Sequence, residues 1–389
     1  MAALSAAPRR SDLDALRVLA VLVLLAYHSS RPFDTESWHV KSLELSRPLE
    51  LLGYVFTPWR LPLLFMISGA GTYFALRTRT ARVYLTDRSK RLLLPLAIGM
   101  FVVVPPQVYV ERVNAWMPNR QSPIDFHGSY LAFLPRIVDG AYPHGNFSWH
   151  HLWFLVYLFV FSVVALPLFL ALRTPRGAAA RDAMSAALAR GAWIFLPAAL
   201  LVAIHVGLRG AFPPNNALVG DWWNLAHYFV LFVAGYALVP DARIGAAVER
   251  HRHAALLLAL VFTVARIGVI VALGAPRAYT GHYVVALSLR GLTEWCALVA
   301  VLGYARRHLD RPRAWLRWAG DRVPPFYIWH QTVIVLIAAV VVGRGLGVAL
   351  PFTVILVGSF VVTVALCEVI SRSRLLRAAF GMRPPERHG

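Results

Sequence analysis

Ten runs of about 17 to 25 mostly apolar residues restrict this chain more than any other feature, because each is long enough to cross a hydrocarbon core about 30 Å thick. They fall near residues 14–30, 56–76, 92–110, 151–172, 192–208, 223–240, 254–274, 283–305, 324–342 and 348–370. A soluble core built from so many apolar helices would have no amphipathic partners to cover it. A composition of 58% hydrophobic and 15% charged residues also suits lipid as the solvent. The expectation is an all-α, polytopic transmembrane helical bundle of about ten spans, forming a single domain over 1–389. Cys296 and Cys367 lie far apart in apolar runs and suggest neither a disulfide nor a thiolate metal site. Arg9 and Arg10 precede the first run as in a secretory signal, but Asp12 and Asp14 intervene and no small-x-small cleavage site follows. That run is therefore read as a retained first span.

The charges orient the bundle. With the N-terminus cytoplasmic, the inner segments hold 26 Lys and Arg and the outer segments ten, counting Arg60 at the outer end of the second span, while Arg17, Arg266 and Arg290 lie deeper inside spans. This is the positive-inside pattern, with both termini cytoplasmic and a basic cytoplasmic tail at 371–389. Nucleic-acid binding is a poorer reading of the net charge of +20, since the charges fall in separate short loops. Two outer segments are long, 31–55 and 111–150, and the second is rich in Pro, aromatic and His residues. It suits an extracytoplasmic cap or acceptor-binding surface. Trp38, Trp59, Trp116, Trp149, Trp222 and Trp223 sit near outer boundaries and read mostly as interfacial belt residues. The Ala/Arg-rich stretch 173–190 reads as a cytoplasmic linker.

Ionisable groups within a span cost several kcal/mol on insertion scales, so each one invites a functional reading. Arg17 and His28 are eleven residues apart in span 1. That is three turns plus about 20°, so both project from one helix face, about 16 Å apart along the axis. The plainer alternatives are a snorkelling Arg17 paired with Asp14 at i−3, and an interfacial His28 satisfied by the first outer loop. Arg88, Lys90 and Arg91 form a basic collar at the cytoplasmic lip, and arginine forks chelate phosphate oxygens. A long, thin, anionic ligand running from collar to His28 matches an acyl-coenzyme A.

These residues also resemble a known family, the acyltransferase 3 membrane proteins, and within it the branch of the glucan-modifying protein C of periplasmic glucan synthesis. The resemblance rests on the spacing of Arg17 and His28, on "FMISGAG" with Ser68 and Gly69, and on "DRSKRLLLP" with Arg88, Arg91 and Pro95. It continues through "HLWFLVYLF", with His151 and Trp153, and "FYIWHQTVIV", with His330, and so covers essentially the whole chain. In one place the chain departs from it: many relatives carry a glutamate five residues after the tryptophan of the fourth-span block, and here that position is Leu158.

The resemblance implies a transferase for groups other than aminoacyl groups, moving succinyl or acetyl from cytoplasmic acyl-CoA to a hydroxyl of an extracytoplasmic glycan. His28 and Arg17 are the catalytic candidates, His28 as general base or covalent acyl carrier. Arg88, Lys90, Arg91 and Ser68 are the donor-binding set, with small-residue helix packing as the plainer role of Ser68. His151, Trp153 and Asp221 are the acceptor-side candidates, with helix capping the plainer role of Asp221. Arg290 and Glu294, at i and i+4, are expected to pair with each other, and His330 is expected to face the cytoplasmic cavity without a catalytic role. His144, His150, His151 and Asp139 match no strong zinc spacing, so no metal and no permanently bound cofactor is expected. The expected partners are membrane lipid, acyl-CoA and a hydroxyl acceptor, with no nucleic acid, and a homodimer is compatible with the sequence. The expected place is the plasma (inner) membrane. The competing function is a transporter or flippase of glycan or lipid intermediates, but the paired, Gly/Pro-broken spans usual in such proteins are missing.

Overall fold

The computed structural model describes residues 10–114 and 116–383, so Arg9 and the end of the expected basic tail, 384–389, lie outside the described residues. The chain begins with α1 (Ser11–Ser30), α2 (Arg47–Phe56) and α3 (Arg60–Thr78). Next, α4 (Ala81–Ile98) runs through a π-helical segment, Gly99–Val103, into α5 (Pro105–Val113). The long loop that follows holds one turn, α6 (Tyr130–Phe133), and leads to α7 (Trp153–Val164), α8 (Leu166–Ala171) and α9 (Pro175–Leu188). Then come α10 (Pro197–Leu208), α11 (Trp222–Leu238), α12 (Ala242–Leu273), α13 (Gly281–Leu309), α14 (Ala314–Val341), α15 (Ala349–Arg372) and α16 (Arg374–Ala379).

Eight helical segments among the described residues are long and apolar enough to cross a membrane. The expected spans at 151–172 and 223–240 correspond to shorter helices. The first is divided at Ala165, where Pro167 opens α8, and the second is the 17-residue α11, closed two residues later by Pro240. The bundle is a helical hairpin of α12 and α13, a pair formed by α3 and α11, and a layer in which α14 packs on α1 and α15.

Four segments differ from expectation for identifiable reasons. Segment 173–190 is not a linker: its alanines favour helix, Thr174 caps the Gly177 N–H, and Pro175 occupies the first turn. The expected outer loop 31–55 contains most of α2, an amphipathic helix with no buried residue. Helices α12 and α14 begin about ten residues before their apolar runs, because charged residues continue a helix that hydropathy alone cannot see.

Close helix contact fixes the pairing of α3 with α11. A Cβ at Gly69 would fall on the Phe232 carbonyl, and one at Gly235 would fall on the Met66 carbonyl. Reciprocal glycines of this kind let two backbones touch where lipid gives no hydrophobic drive. An aromatic core fills in beside them, with Phe65 stacked on Tyr228 at 4.6 Å and Phe169 on Tyr236 at 3.8 Å. Trp153 belongs to this core, 5.0 Å from Tyr157 and 5.5 Å from Tyr228.

Candidate active site

Helix α1 carries Arg17 and His28 about 16 Å apart along its axis. The site is built at its His28 end. Three imidazoles meet there, with the His28 ring 5.3 Å from that of His330 on α14, and His330 in turn 5.4 Å from His151. His330 therefore faces His28 rather than a cytoplasmic cavity, because α14 packs along α1 and turns that face inward.

Backbone carbonyls fix two of the three rings. A carbonyl only accepts, so His330 Nδ1–H donates to Tyr327 O at 2.6 Å and His151 Nε2–H donates to Ile328 O at 2.9 Å. The neutral rings then present lone pairs at His330 Nε2 and His151 Nδ1. Both atoms are buried, as is His28 Nδ1, and none has a hydrogen-bond partner among the described residues. Buried polar atoms without protein partners are uncommon, and a group of them calls for a water, a ligand or a catalytic role. The Tyr327 hydroxyl donates to the His151 carbonyl and ties the turn before α7 to α14.

The loop after α1 covers this pocket. Trp38 stacks over His28 at 6.3 Å and is buried, as is Trp223, so these two are not belt residues, whereas Trp116 and Trp222 are exposed. The buried Lys41 ammonium holds the loop by donating to Arg31 O, Asp34 O and Asp34 Oδ1 at 2.7, 2.5 and 3.0 Å. Burial pulls this ammonium below its ordinary pKa and lifts the Asp34 carboxyl above its own. Below the loop, Glu111 accepts from Ser122 N and Tyr142 Oη and binds His39 Nδ1 at 2.7 Å. Burial, with Glu111 alongside, raises the Tyr142 phenol above its ordinary value. Gln331, Gln107 and Thr332 continue the chain of hydrogen bonds inward. It ends on the Val103 carbonyl, which the π-helical segment leaves open because Gln107 N turns to Val104 O. Sequence reading missed this network. Its signal was a pair of glutamines, Gln107 and Gln331, in otherwise apolar runs.

At the other end of α1, Arg17 pairs with Asp14 at 3.2 Å and packs toward Gly71, where a Cβ would lie 3.2 Å from its Nη2. Arg88 reaches the same turn of α3, donating to Thr72 Oγ1 at 2.8 Å and to Ser68 O at 3.4 Å. Ser68, Gly71 and Thr72 share one helix face. The Ser68 hydroxyl is turned onto its own helix, donating to Leu64 O at 2.7 Å. Arg91 is half-buried with Arg79, Arg88 and Arg383 in electrostatic reach, and Lys90 is exposed. With Arg17, five guanidinium groups thus share this end of the bundle.

The remaining candidates are scattered. Asp221 is fully buried, accepts from Tyr157 Oη, from Asn216 N at 2.8 Å and from Asn224 Nδ2 at 2.9 Å, and makes no cap bond to α11. It latches the 209–220 loop onto α7. Leu158 is packed in the apolar core, one residue after the tyrosine that holds Asp221. His144 and Asp139 line a cavity of about 200 Å³ with Arg112, Phe126, Phe133 and Arg136, away from His150 and His151.

Glu294 does not pair with Arg290. It binds His205 Nε2 at 3.0 Å and His227 Nε2 at 2.6 Å, all three residues being fully buried. This is a group with metal-ligand spacing, yet Trp223 Nε1, which can only donate, bonds His205 Nδ1 at 3.1 Å. His205 therefore carries its proton on Nε2 and gives it to Glu294, which suits a carboxylate held by two N–H groups better than a cation site.

The acyltransferase domain of the acyltransferase 3 family (Acyl_transf_3) matches residues 10–372. Proteins called glucans biosynthesis protein C from Salmonella paratyphi B, Salmonella heidelberg and Salmonella enteritidis are each 23% identical over 163 residues. That stretch is 42% of this chain and 40% of each relative, so the chain matches under half the length of these curated proteins. No solved structure matches the chain. From Arg17 and His28 on α1 to His330 on α14, the site lies within the matched residues, and the chain belongs to the acyltransferase 3 family of multi-pass membrane acyltransferases.

Proposed function

We propose that this membrane acyltransferase moves an acyl group, succinyl or acetyl, from cytoplasmic acyl-CoA to a hydroxyl of an extracytoplasmic glycan. The bundle would sit in the plasma (inner) membrane with both termini cytoplasmic, so that the Arg88/Arg91 collar faces the cytoplasm and the loops around Trp38 and Tyr142 form the outer cap. The observation that carries the reading is the trio His28, His151 and His330, with three buried ring nitrogens that lack partners among the described residues, at the far end of α1 from the collar.

In this reading the collar binds the CoA phosphates and the pantetheine arm follows the α1 face outward. The acceptor hydroxyl oxygen attacks the thioester carbonyl as His28 Nδ1 takes its proton, and collapse of the intermediate breaks the carbon–sulfur bond. His28 then returns the proton to the departing thiolate, and the ester and free CoA leave. Arg60, buried in electrostatic reach of His28 and with its Nε unpartnered among the described residues, offsets the negative charge that forms on the carbonyl oxygen. His330 positions His28 and supplies a second basic nitrogen beside it. The cavity lined by Arg112, Phe126 and Phe133 suits a sugar residue, with aromatic faces and charged hydrogen-bonding groups together.

The test is acceptor-dependent release of free CoA by the purified full chain, with acetyl-CoA and succinyl-CoA as donors and a glucan oligosaccharide as acceptor. Release in wild type that falls at least a hundredfold in His28→Ala supports the proposal, that being the usual scale of general base catalysis. Equal release in both, with the variant shown to be folded, overturns it.

A further inference from the structure

Two arginines inside the spans and one at a span end are left over by the acyl-transfer reading. Arg209 closes α10, Arg266 lies on α12 and Arg290 on α13. None makes an ion pair or a side-chain hydrogen bond among the described residues. What they touch is aromatic: Arg209 and Arg290 lie 4.3 and 5.7 Å from the centre of the Trp223 ring, and Arg266 lies 5.2 Å from that of Tyr54. The Nε atoms of Arg266 and Arg290 are fully buried and unpartnered, and Arg290 is only 7% exposed.

Arg209 and Arg290 share the Trp223 ring, and Arg266 lies within electrostatic reach of both. Among the described residues Glu294, four residues after Arg290, and Glu36, in electrostatic reach of Arg209, are the nearby carboxylates, and both are bonded elsewhere. Glu294 is held by His205 and His227, and Glu36 is paired with Arg31 at 3.1 Å. Three like charges gathered in low dielectric repel one another, and since neither carboxylate is ion-paired with them among the described residues, their guanidinium donors are open to a further anion.

We propose that Arg209, Arg266 and Arg290 bind a phosphate group reached from the membrane. Guanidinium forks match phosphate oxygens, and aromatic faces hold the arginine planes in place for them. The surroundings favour a phosphate carried on a lipid. Helix α12 around Arg266 is uncovered, with Val264, Val271 and Leu273 exposed, and the amphipathic α2 crosses beside it and supplies Tyr54. A headgroup can therefore enter between α2 and α12 while its chains stay along α12. The site is separate from the CoA collar and does not depend on acyl transfer.

The experiment is native mass spectrometry of the full chain in detergent with dihexanoyl phosphatidic acid, with inorganic phosphate and with dihexanoylglycerol. Saturable binding of phosphatidic acid that weakens at least tenfold in Arg266→Gln and Arg290→Gln supports the site. Displacement by inorganic phosphate alone, lost in the same variants, supports the site with free phosphate as its source. Arg266→Lys and Arg290→Lys keep the charge and should retain part of the affinity. Thermal melting of all four variants separates lost binding from lost folding, and the peripheral Arg266 carries the test if Arg290→Gln misfolds. Binding of dihexanoylglycerol equal to that of phosphatidic acid overturns the proposal, as does unchanged phosphatidic acid binding in the folded Gln variants or no binding of either phosphate probe to wild type.

Discussion

The Trp223 indole and the His205 ring share one hydrogen bond of 3.1 Å, and that bond decides which nitrogen of His205 faces Glu294. Replacing Trp223 by Phe removes the donor and frees His205 to move its proton to Nδ1. The three ligand atoms around Glu294 would then be able to hold a divalent cation. Melting curves with and without zinc should show no stabilisation of wild type but a rise of several degrees for Trp223→Phe. A comparable rise in wild type would show that the Trp223 bond does not hold the proton in place.

Glu294→Gln should cost about 1–3 kcal/mol, the range for leaving a buried polar group unsatisfied. The amide has one oxygen for two imidazole N–H groups, and its own NH2 would meet a donor. Unfolding in denaturant should show a lower midpoint, and an unchanged midpoint would mean that the two histidines do not depend on the carboxylate.

Gly69→Ala and Gly71→Ala should behave very differently although they are two residues apart. The first places a methyl group on the Phe232 carbonyl and must force α3 away from α11, while the second meets only the end of the Arg17 side chain. Size-exclusion chromatography should show a disperse or absent peak for Gly69→Ala and a normal one for Gly71→Ala. A normal peak for both would show that the α3–α11 contact is looser than these distances.

Arg91→Ala should weaken acyl-CoA binding without altering acceptor binding, and Arg91→Lys should restore only part of it, since an ammonium cannot form the bidentate fork. Equal donor affinity in wild type and Arg91→Ala would take this residue out of the collar.

Inserting one alanine between Arg17 and His28 rotates His28 by about 100° and lifts it about 1.5 Å. His28 would then leave the face that meets His330. Transfer should be abolished in a protein that still inserts and still binds acyl-CoA, and retained turnover would separate the His28–His330 contact from the chemistry.

Much of this was legible in the chain because span length and helical spacing are local properties. The shared face of Arg17 and His28 follows from 3.6 residues per turn, and the helical bundle from runs of apolar residues. What was not legible depended on contacts between distant segments. His330 could not be oriented without knowing that α14 lies on α1. The expected Arg290–Glu294 pair looked sound at i and i+4, and it lost to two histidines from α10 and α11 that offer N–H groups at 3.0 and 2.6 Å. Trp38 and Trp223 read as belt residues because position along a span does not show whether a helix face meets lipid or protein.

The polar spine under the cap joins His39 to Gln331, 292 residues later, and the His151 turn to Ile328, 177 residues later. During synthesis the early helices therefore enter the membrane with Gln107, the Val103 carbonyl and His39 Nε2 lacking their α14 partners, and they wait for Gln331 and Thr332 near the end of the chain. The pocket comes into existence in one late step, when α14 arrives. A truncated or stalled chain is thereby marked by exposed polar groups in lipid, so membrane quality control can tell an unfinished copy from a finished one without reference to catalysis.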